Sequence, residues 1–443
     1  MAVAQAGSGW VAPKSVVCLF RMPLPVNTHR PAWNIRLVIV CMTALSVALP
    51  IAWISLSKVL LVLAALGSVA LGLRHPHSGT ALSRLQTPKV VLAVLLLFSL
   101  SLIWTDANLN VALAALVKHG KLLTIVLLVF LIRSRQEARL ALMVFAFGQA
   151  LLLCMSWLLA LGVPNPWIPT SAAKYVVFSS YLDQSIIFAS AAAVWWHLRH
   201  DLMWPRWVGS FFAAAALINT LLLLPGRTGY AVAAALVSLA VMWAVPKRLR
   251  LVALALTPAI LLLGLYIGSA TVQERLARVV DEGQHYGTQA LTESSSGWRL
   301  NAWKRSLQAI QENPLAGHGI GSWTQTIKRL EGPAAESVFG KGNASNPHQE
   351  YLLWGVELGV GGIIALLLLM GSIGRDAMNF NTSICRATLS VLVAMAVACL
   401  FNSTLYDGLI GDFFCTSLGL LLALGARQAA LDLRPDGTTR IAS

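Results

Sequence analysis

Long apolar runs alternate with short polar, often basic, connections along the chain. They fall near residues 36–52, 54–73, 88–104, 110–132, 138–161, 175–197, 207–224, 228–245, 250–268, 350–373, 387–403 and 408–426. Each comes close to the roughly 17 to 25 residues that a helix needs to cross a hydrocarbon core. The runs are continuous and do not alternate residue by residue over short segments, which excludes a closed barrel. Several carry a glycine, a proline or a lone charge, which a membrane helix tolerates where neighbouring helices or cavity water satisfy the freed groups. The pattern predicts an all-α polytopic membrane protein of about twelve transmembrane helices, with both chain ends on one side. The chain divides into an N-terminal segment (1–35), helices one to nine (36–268), a long loop (269–347), helices ten to twelve (348–426) and a tail (427–443).

Composition supports this reading. The 443 residues are 57% hydrophobic and 12% charged, with a mean hydropathy of +0.70, too apolar for an ordinary water-soluble globule. Cys18, Cys41, Cys154, Cys385, Cys399 and Cys415 lie in or beside the runs without metal-type spacing, so neither a disulfide framework nor a zinc site is implied. Near the start of the chain only Val16 to Phe20 is apolar, and Arg21 and two prolines follow. This does not read as a cleavable signal peptide, and the first span is expected to do the targeting.

Charge sets the expected orientation, because short loops rich in lysine and arginine are retained in the cytoplasm. One alternating set of connections holds Arg30 and Arg36, Arg74 and Arg84, Arg133 and Arg135, Arg199 and Arg206, Lys247 and Arg248, Arg375 and Arg386, and Arg427 and Arg434. The other short loops hold little beyond Lys174 and Arg227. Both termini are therefore expected in the cytoplasm, and much of the net charge of +15 reads as topology signal. No nucleic-acid partner is expected, since its basic residues would gather on a soluble face. The loop 269–347, about eighty residues long, faces the other side; connections of that length usually carry function.

Most of the notable polar residues share that outer side. In LLLLPGRTGY, Arg227 sits at the mouth between two spans. It reads either as an interfacial anchor or as a guanidinium aimed at phosphate, and the flanking glycines, which permit close backbone approach, favour the second. In the long loop, Trp298, Arg299, Ala302, Trp303, Ser306, Leu307 and Ile310 follow helical spacing and predict an amphipathic helix ending before Pro314. The glycines at 317, 319 and 321 lack the strand and acidic partner of a nucleotide loop, so they are expected to serve tight packing, with His318 structural. Asp281, Glu282 and His285 read as solvated loop.

Lys118, His119 and Lys121 are placed in the inner half of the fourth run, where a charge costs about 2.5–3.5 kcal/mol and should find a water-filled cavity or an anionic partner, unless the lysines snorkel to an interface. Lys58 is expected to snorkel to an interface. Asp407, in the last outer turn, is expected either to pair with a cation or to form the turn. In SNPHQEYLLWGVELG, Asn346 is expected to cap a helix, with Pro347 at its first position and Gln349 completing a capping box. His348 would then lie in the first turn, its pKa held down by the helix terminus and nearby arginines, neutral at pH 7 and able to accept a proton; a buried, hydrogen-bonded histidine without a catalytic role is the alternative.

In chain order, GRTGY, a long loop with SxxGWRxxxW and NPLxGxGxGSW, and NPHxxYL running into GxELGxxG resemble the O-antigen ligase and O-antigen polymerase superfamily. The resemblance is most specific over 225–362; the first third of the chain matches only in hydropathy and intramembrane lysines. It implies a GT-C-like, metal-independent glycosyltransferase without a cofactor, working at the periplasmic face of a Gram-negative inner membrane. A ligase of this kind moves polysaccharide from undecaprenyl diphosphate to the lipid A-core oligosaccharide, inverting the anomeric centre, in lipopolysaccharide biosynthesis. Carried over, Arg227 and Arg299 hold the diphosphate, and His348 acts at the acceptor hydroxyl or orients the groups that do; Lys118, Lys121 and Asp407 are further candidate substrate-binding residues on the residue-level reading above. Its partners are the lipid-linked O-antigen, the lipid A-core and membrane lipids. A polymerase, differing in its acceptor, is the nearest rival; a ligase of glycans to protein and a lipid-linked glycan transporter are the others.

Overall fold

The computed structural model describes residues 34–71, 82–167, 174–268, 273, 295–332 and 346–432, all within one compact unit, Trp33–Ser443. Most of the N-terminal segment, the centre of the long loop with Asp281, Glu282 and His285, and the end of the tail lie outside the described residues.

Each of the twelve apolar runs contains a helix, and no strand occurs among the described residues. The helices are α1 Ile35–Ser46, α2 Ile51–Ala70, α3 Thr87–Leu100, α4 Leu109–His119, α5 Leu123–Leu131, α6 Arg135–Ala160, α7 Tyr181–Leu198, α8 Arg206–Ile218, α9 Arg227–Ala244 and α10 Arg250–Gly268. In the long loop stand α11 Ser295–Glu312 and α12 Trp323–Glu331, followed by α13 Glu350–Ala377, α14 Thr382–Phe401 and α15 Gly408–Asp432. Among the described residues nine helical segments are long and apolar enough to cross a membrane. Ile35–Ser46 and Thr87–Ile103 are shorter, and α7, which carries Asp183, Gln184 and His197, is not among the nine. The architecture is that of an all-α polytopic membrane protein.

Polar side chains set where several helices begin. Asn34, Ser134, Ser180 and Asn381 each accept a backbone N–H from the first turn of α1, α6, α7 and α14, satisfying donors that the helix leaves open. At the ends of α1, α5, α6 and α15 remote from the candidate site, Arg36 grips Glu137 in a two-pronged pair at 2.6 and 2.9 Å, and buried Arg427 donates to the carbonyls of Val129 and Ile132. These arginines, expected as topology signal, also tie helix ends together. Helix α15 is the centre of the bundle, buried along nearly all of its apolar length, whereas α10 lies at the periphery.

Lys58 does not snorkel. Its ammonium reaches both carboxylate oxygens of Asp412 on α15, at 3.0 and 2.9 Å, because a buried carboxylate in an apolar bundle needs a cation more than the lysine needs the interface.

Helix α13 breaks at Gly359, where φ is +64° and ψ −156°. The loop segment NPLAGHGIGSW fills the break: Val360 N–H donates to the Pro314 carbonyl at 2.7 Å, while the N–H groups of His318 and Gly319 donate to the carbonyls of Val356 and Glu357 at 2.8 and 2.9 Å. A Cβ on Gly359 would stand 2.4 Å from the Pro314 oxygen. The three loop glycines therefore serve close packing, as expected, and all three have positive φ. His318 is structural: its ring nitrogens meet Asp106 and the Ala309 carbonyl, each at 3.0 Å. Behind the break, Glu357 accepts the Gly321 N–H at 2.8 Å and meets His119 at 3.0 Å, and the His119 ring stacks on Phe98.

Candidate functional site

The site forms where the starts of α7, α9 and α13 meet α11 and the turn 402–407. Helix α9 reaches it because Gly226 and Gly229 lie directly on α7. A Cβ on either would stand 2.2 or 2.4 Å from the Ser185 hydroxyl oxygen. A Cβ on Gly226 would also stand 3.3 Å from the carbonyl oxygen of Tyr181, the first residue of α7, so Arg227, the exposed first residue of α9, starts its helix next to the start of α7. Asn402 donates to the Thr228 hydroxyl at 3.2 Å, holding the last turn against the same helix end.

Helix α11 brings Arg299 to the other wall by packing on α13. Its Trp303 indole donates to the Pro347 carbonyl at 3.1 Å, and Trp298 meets the His348 ring with centroids 5.1 Å apart at 68°. Burial lowers the pKa of the Arg299 guanidinium; Tyr181 raises it and Arg227 lowers it, so both lie close enough to act on its charge.

The expected capping box is not formed. Helix α13 starts at Glu350, and Gln349 is its cap, accepting the Leu352 N–H at 2.6 Å. Asn346 turns back on its own loop, accepting the His348 N–H at 2.9 Å and donating to Asp407 at 3.2 Å. His348 therefore precedes the helix, with φ +49°. Such a conformation is uncommon for a histidine and costs on the order of 1–3 kcal/mol, a strain that often marks functional positions. Burial first, and then the Arg299 charge, pulls the imidazole pKa down to about 4. The ring is neutral at pH 7 as expected, but burial and one arginine account for it.

Lys118 and Lys121 do not lie in the inner half of their run. Both converge on the 402–407 turn, at the site end: the Lys118 ammonium stands 4.1 Å from the Tyr406 ring centroid, and buried Lys121 donates to the carbonyls of Tyr406 and Asp407. The helical register is broken by a 3₁₀ turn at Gly120–Leu122, which lets Lys121 turn inward while Lys118 stays exposed. Among the described residues Asp407 makes no ion pair; Asn346 is its hydrogen-bond donor. Burial lifts the Asp407 carboxyl to about 6, opposed by Lys121, Lys118 and that bond.

Sequence reasoning missed Glu350. Its carboxylate accepts the Trp354 indole at 2.7 Å and the N–H groups of Leu405 and Tyr406 at 2.8 and 3.3 Å, locking the turn to the start of α13. The spacing of Glu350 and Trp354, one helical turn apart, was the available signal. Asn346, expected as a cap, is instead the link between Asp407 and the His348 backbone, and Tyr181 carried no sequence signal. Among the described residues no group of three or more His, Cys, Asp or Glu could hold a metal.

The arrangement joins an exposed and a half-buried guanidinium, suited to an anionic group, to a neutral imidazole able to take a proton. Residues 212–367 match the family described as O-antigen ligase, a segment containing Arg227, Arg299, His348 and the kink at Gly359. No curated protein matches the chain. Over that segment the chain is similar to the O-antigen ligase family.

Proposed function

We propose, from the similarity of residues 212–367 to that family, that the protein is an O-antigen ligase of the Gram-negative inner membrane. It moves polysaccharide from undecaprenyl diphosphate to the lipid A-core oligosaccharide. The observation that carries the reading is the meeting of Arg227, Arg299 and a neutral His348 in one site. The alternation of basic loops supports a periplasmic position for it, with both termini cytoplasmic.

In this reading the acceptor hydroxyl attacks the anomeric carbon from the face opposite the diphosphate, inverting that centre. The hydroxyl proton passes to the unprotonated nitrogen of His348, the new glycosidic C–O bond forms, and the bond to the diphosphate oxygen breaks. Arg227 and Arg299 hold the diphosphate and stabilise the charge it gains on leaving, so that fixed cations do what a metal would. Lys118 and Asp407 complete the substrate-binding wall, and Lys121 positions the turn that carries Asp407.

Deletion of the gene tests the reading. Loss of polymer on lipid A with lipid-linked polymer retained supports the ligase; loss of chain extension assigns the domain to a polymerase.

A further inference from the structure

A second polar site lies at the opposite end of the same helices. Where the end of α7, the end of α9 and the start of α14 part, they leave a cavity of about 450 Å³. Arg199, His200 and Arg386 stand on its wall with Trp196, His197 and Trp243, and among the described residues no carboxylate lines it. Arg386 lies 5.6 Å from the Trp243 ring centroid and makes no ion pair with a described residue; Arg199 lies 4.1 Å from the Trp196 ring and donates to the Trp196 carbonyl. Asp201, the nearest acid along the chain, is engaged by Arg139 at 3.7 Å. His197 is 8% exposed, touches the Trp243 ring edge-on and has no hydrogen-bond partner among the described residues. The first residues of α14, Thr382 and Ser383, also open onto the cavity, and a helix start favours an anion.

This basic chamber adjoins an apolar one. A cavity of about 240 Å³ shares Trp196, His197 and Ala240 with it and is walled by Ala189, Ala213 and Leu236, among others. Ala189 lies nine residues back from the end of α7, roughly 13 Å along the helix, so the pair of cavities is amphipathic along the helix axis. An aqueous anion would need only the first chamber, and a detached hydrocarbon only the second. We propose that the two cavities together bind a membrane lipid with an anionic phosphate headgroup, its phosphate between Arg199 and Arg386 and its chain against the alanines of α7 and α8. The site is separate from glycan transfer and does not depend on the function proposed above.

Native mass spectrometry of the purified full chain, titrated in detergent with phosphatidylglycerol, phosphatidylethanolamine or inorganic phosphate, tests this. The expected result is one retained phosphatidylglycerol, preferred over phosphatidylethanolamine and not displaced by inorganic phosphate. Arg199→Gln with Arg386→Gln should weaken phosphatidylglycerol binding at least about tenfold and abolish its preference over phosphatidylethanolamine. Ala213→Leu, which fills the apolar chamber, should weaken it as well. Equal binding of the two lipids by the wild-type protein, a measurement that needs no variant to fold, would overturn the proposal. So would displacement by inorganic phosphate alone, or a folded double variant that binds like wild type.

Discussion

Trp298 stands edge-on to His348, with ring centroids 5.1 Å apart and an interplanar angle of 68°, so the long loop covers the imidazole as well as supplying its neighbour Arg299. That cover is why burial leads the pKa shift of His348 and the Arg299 charge comes second.

The sign of the pH dependence follows. A histidine shifted from about 6.5 to about 4 stays unprotonated as pH falls through 6.5 and takes a proton only as pH approaches 4. Transfer by purified protein should hold between pH 7 and 5 and fall below that. Arg299→Gln removes a charge that depresses the pKa, so whatever activity remains should fall at a higher pH. A wild-type midpoint near 6.5 would mean that the ring is solvated when the enzyme works.

Lysine at position 227 or 299 keeps the charge but loses the planar fork. Arg227→Lys and Arg299→Lys should each lower transfer at least about tenfold, with normal membrane insertion. Near wild-type rates in both would make these residues interfacial anchors.

Gly229 touches α7 so closely that a Cβ would stand 2.4 Å from both side-chain atoms of Ser185. Gly229→Ala should lower stability by about 1–3 kcal/mol, read as earlier thermal unfolding in detergent. Adding Ser185→Gly should restore much of the loss; if it restores nothing, the two helices are not held by this contact.

Much of this was legible in the sequence, for local reasons. Apolar runs of bilayer length mark helices wherever they fold, and GRTGY, GWR and NPH each carry a candidate site residue beside the glycine, tryptophan or proline that places it. What the sequence did not disclose depends on partners far along the chain. Lys58 and Asp412 are 354 residues apart, and nothing local to either announces the pair. The start of α13 was misread because Asn346 had two uses open to it, and its bond to Asp407, 61 residues away, decided between them. Lys118 and Lys121 were assigned to the wrong end of their helix for the same reason: only the turn at Tyr406 and Asp407 shows where they point.

Orientation is tested by labelling. In a background without the native cysteines, Gln311→Cys, at an exposed position near the end of α11, should react with a membrane-impermeant thiol reagent in intact spheroplasts, and Arg248→Cys should not. The opposite pattern would move the site to the cytoplasm, where the proposed reaction has no place.

The most direct test of the central claim, that a neutral His348 takes the acceptor proton, is single-turnover transfer by purified His348→Ala and His348→Gln proteins whose thermal unfolding matches wild type. Removing a general base costs roughly 10²- to 10⁴-fold, and an amide can hydrogen-bond but cannot take a proton at neutral pH. Both variants should therefore be slowed within that range, with Gln no better than Ala. A Gln variant that keeps most of the wild-type rate would contradict the claim and leave His348 a positioning role.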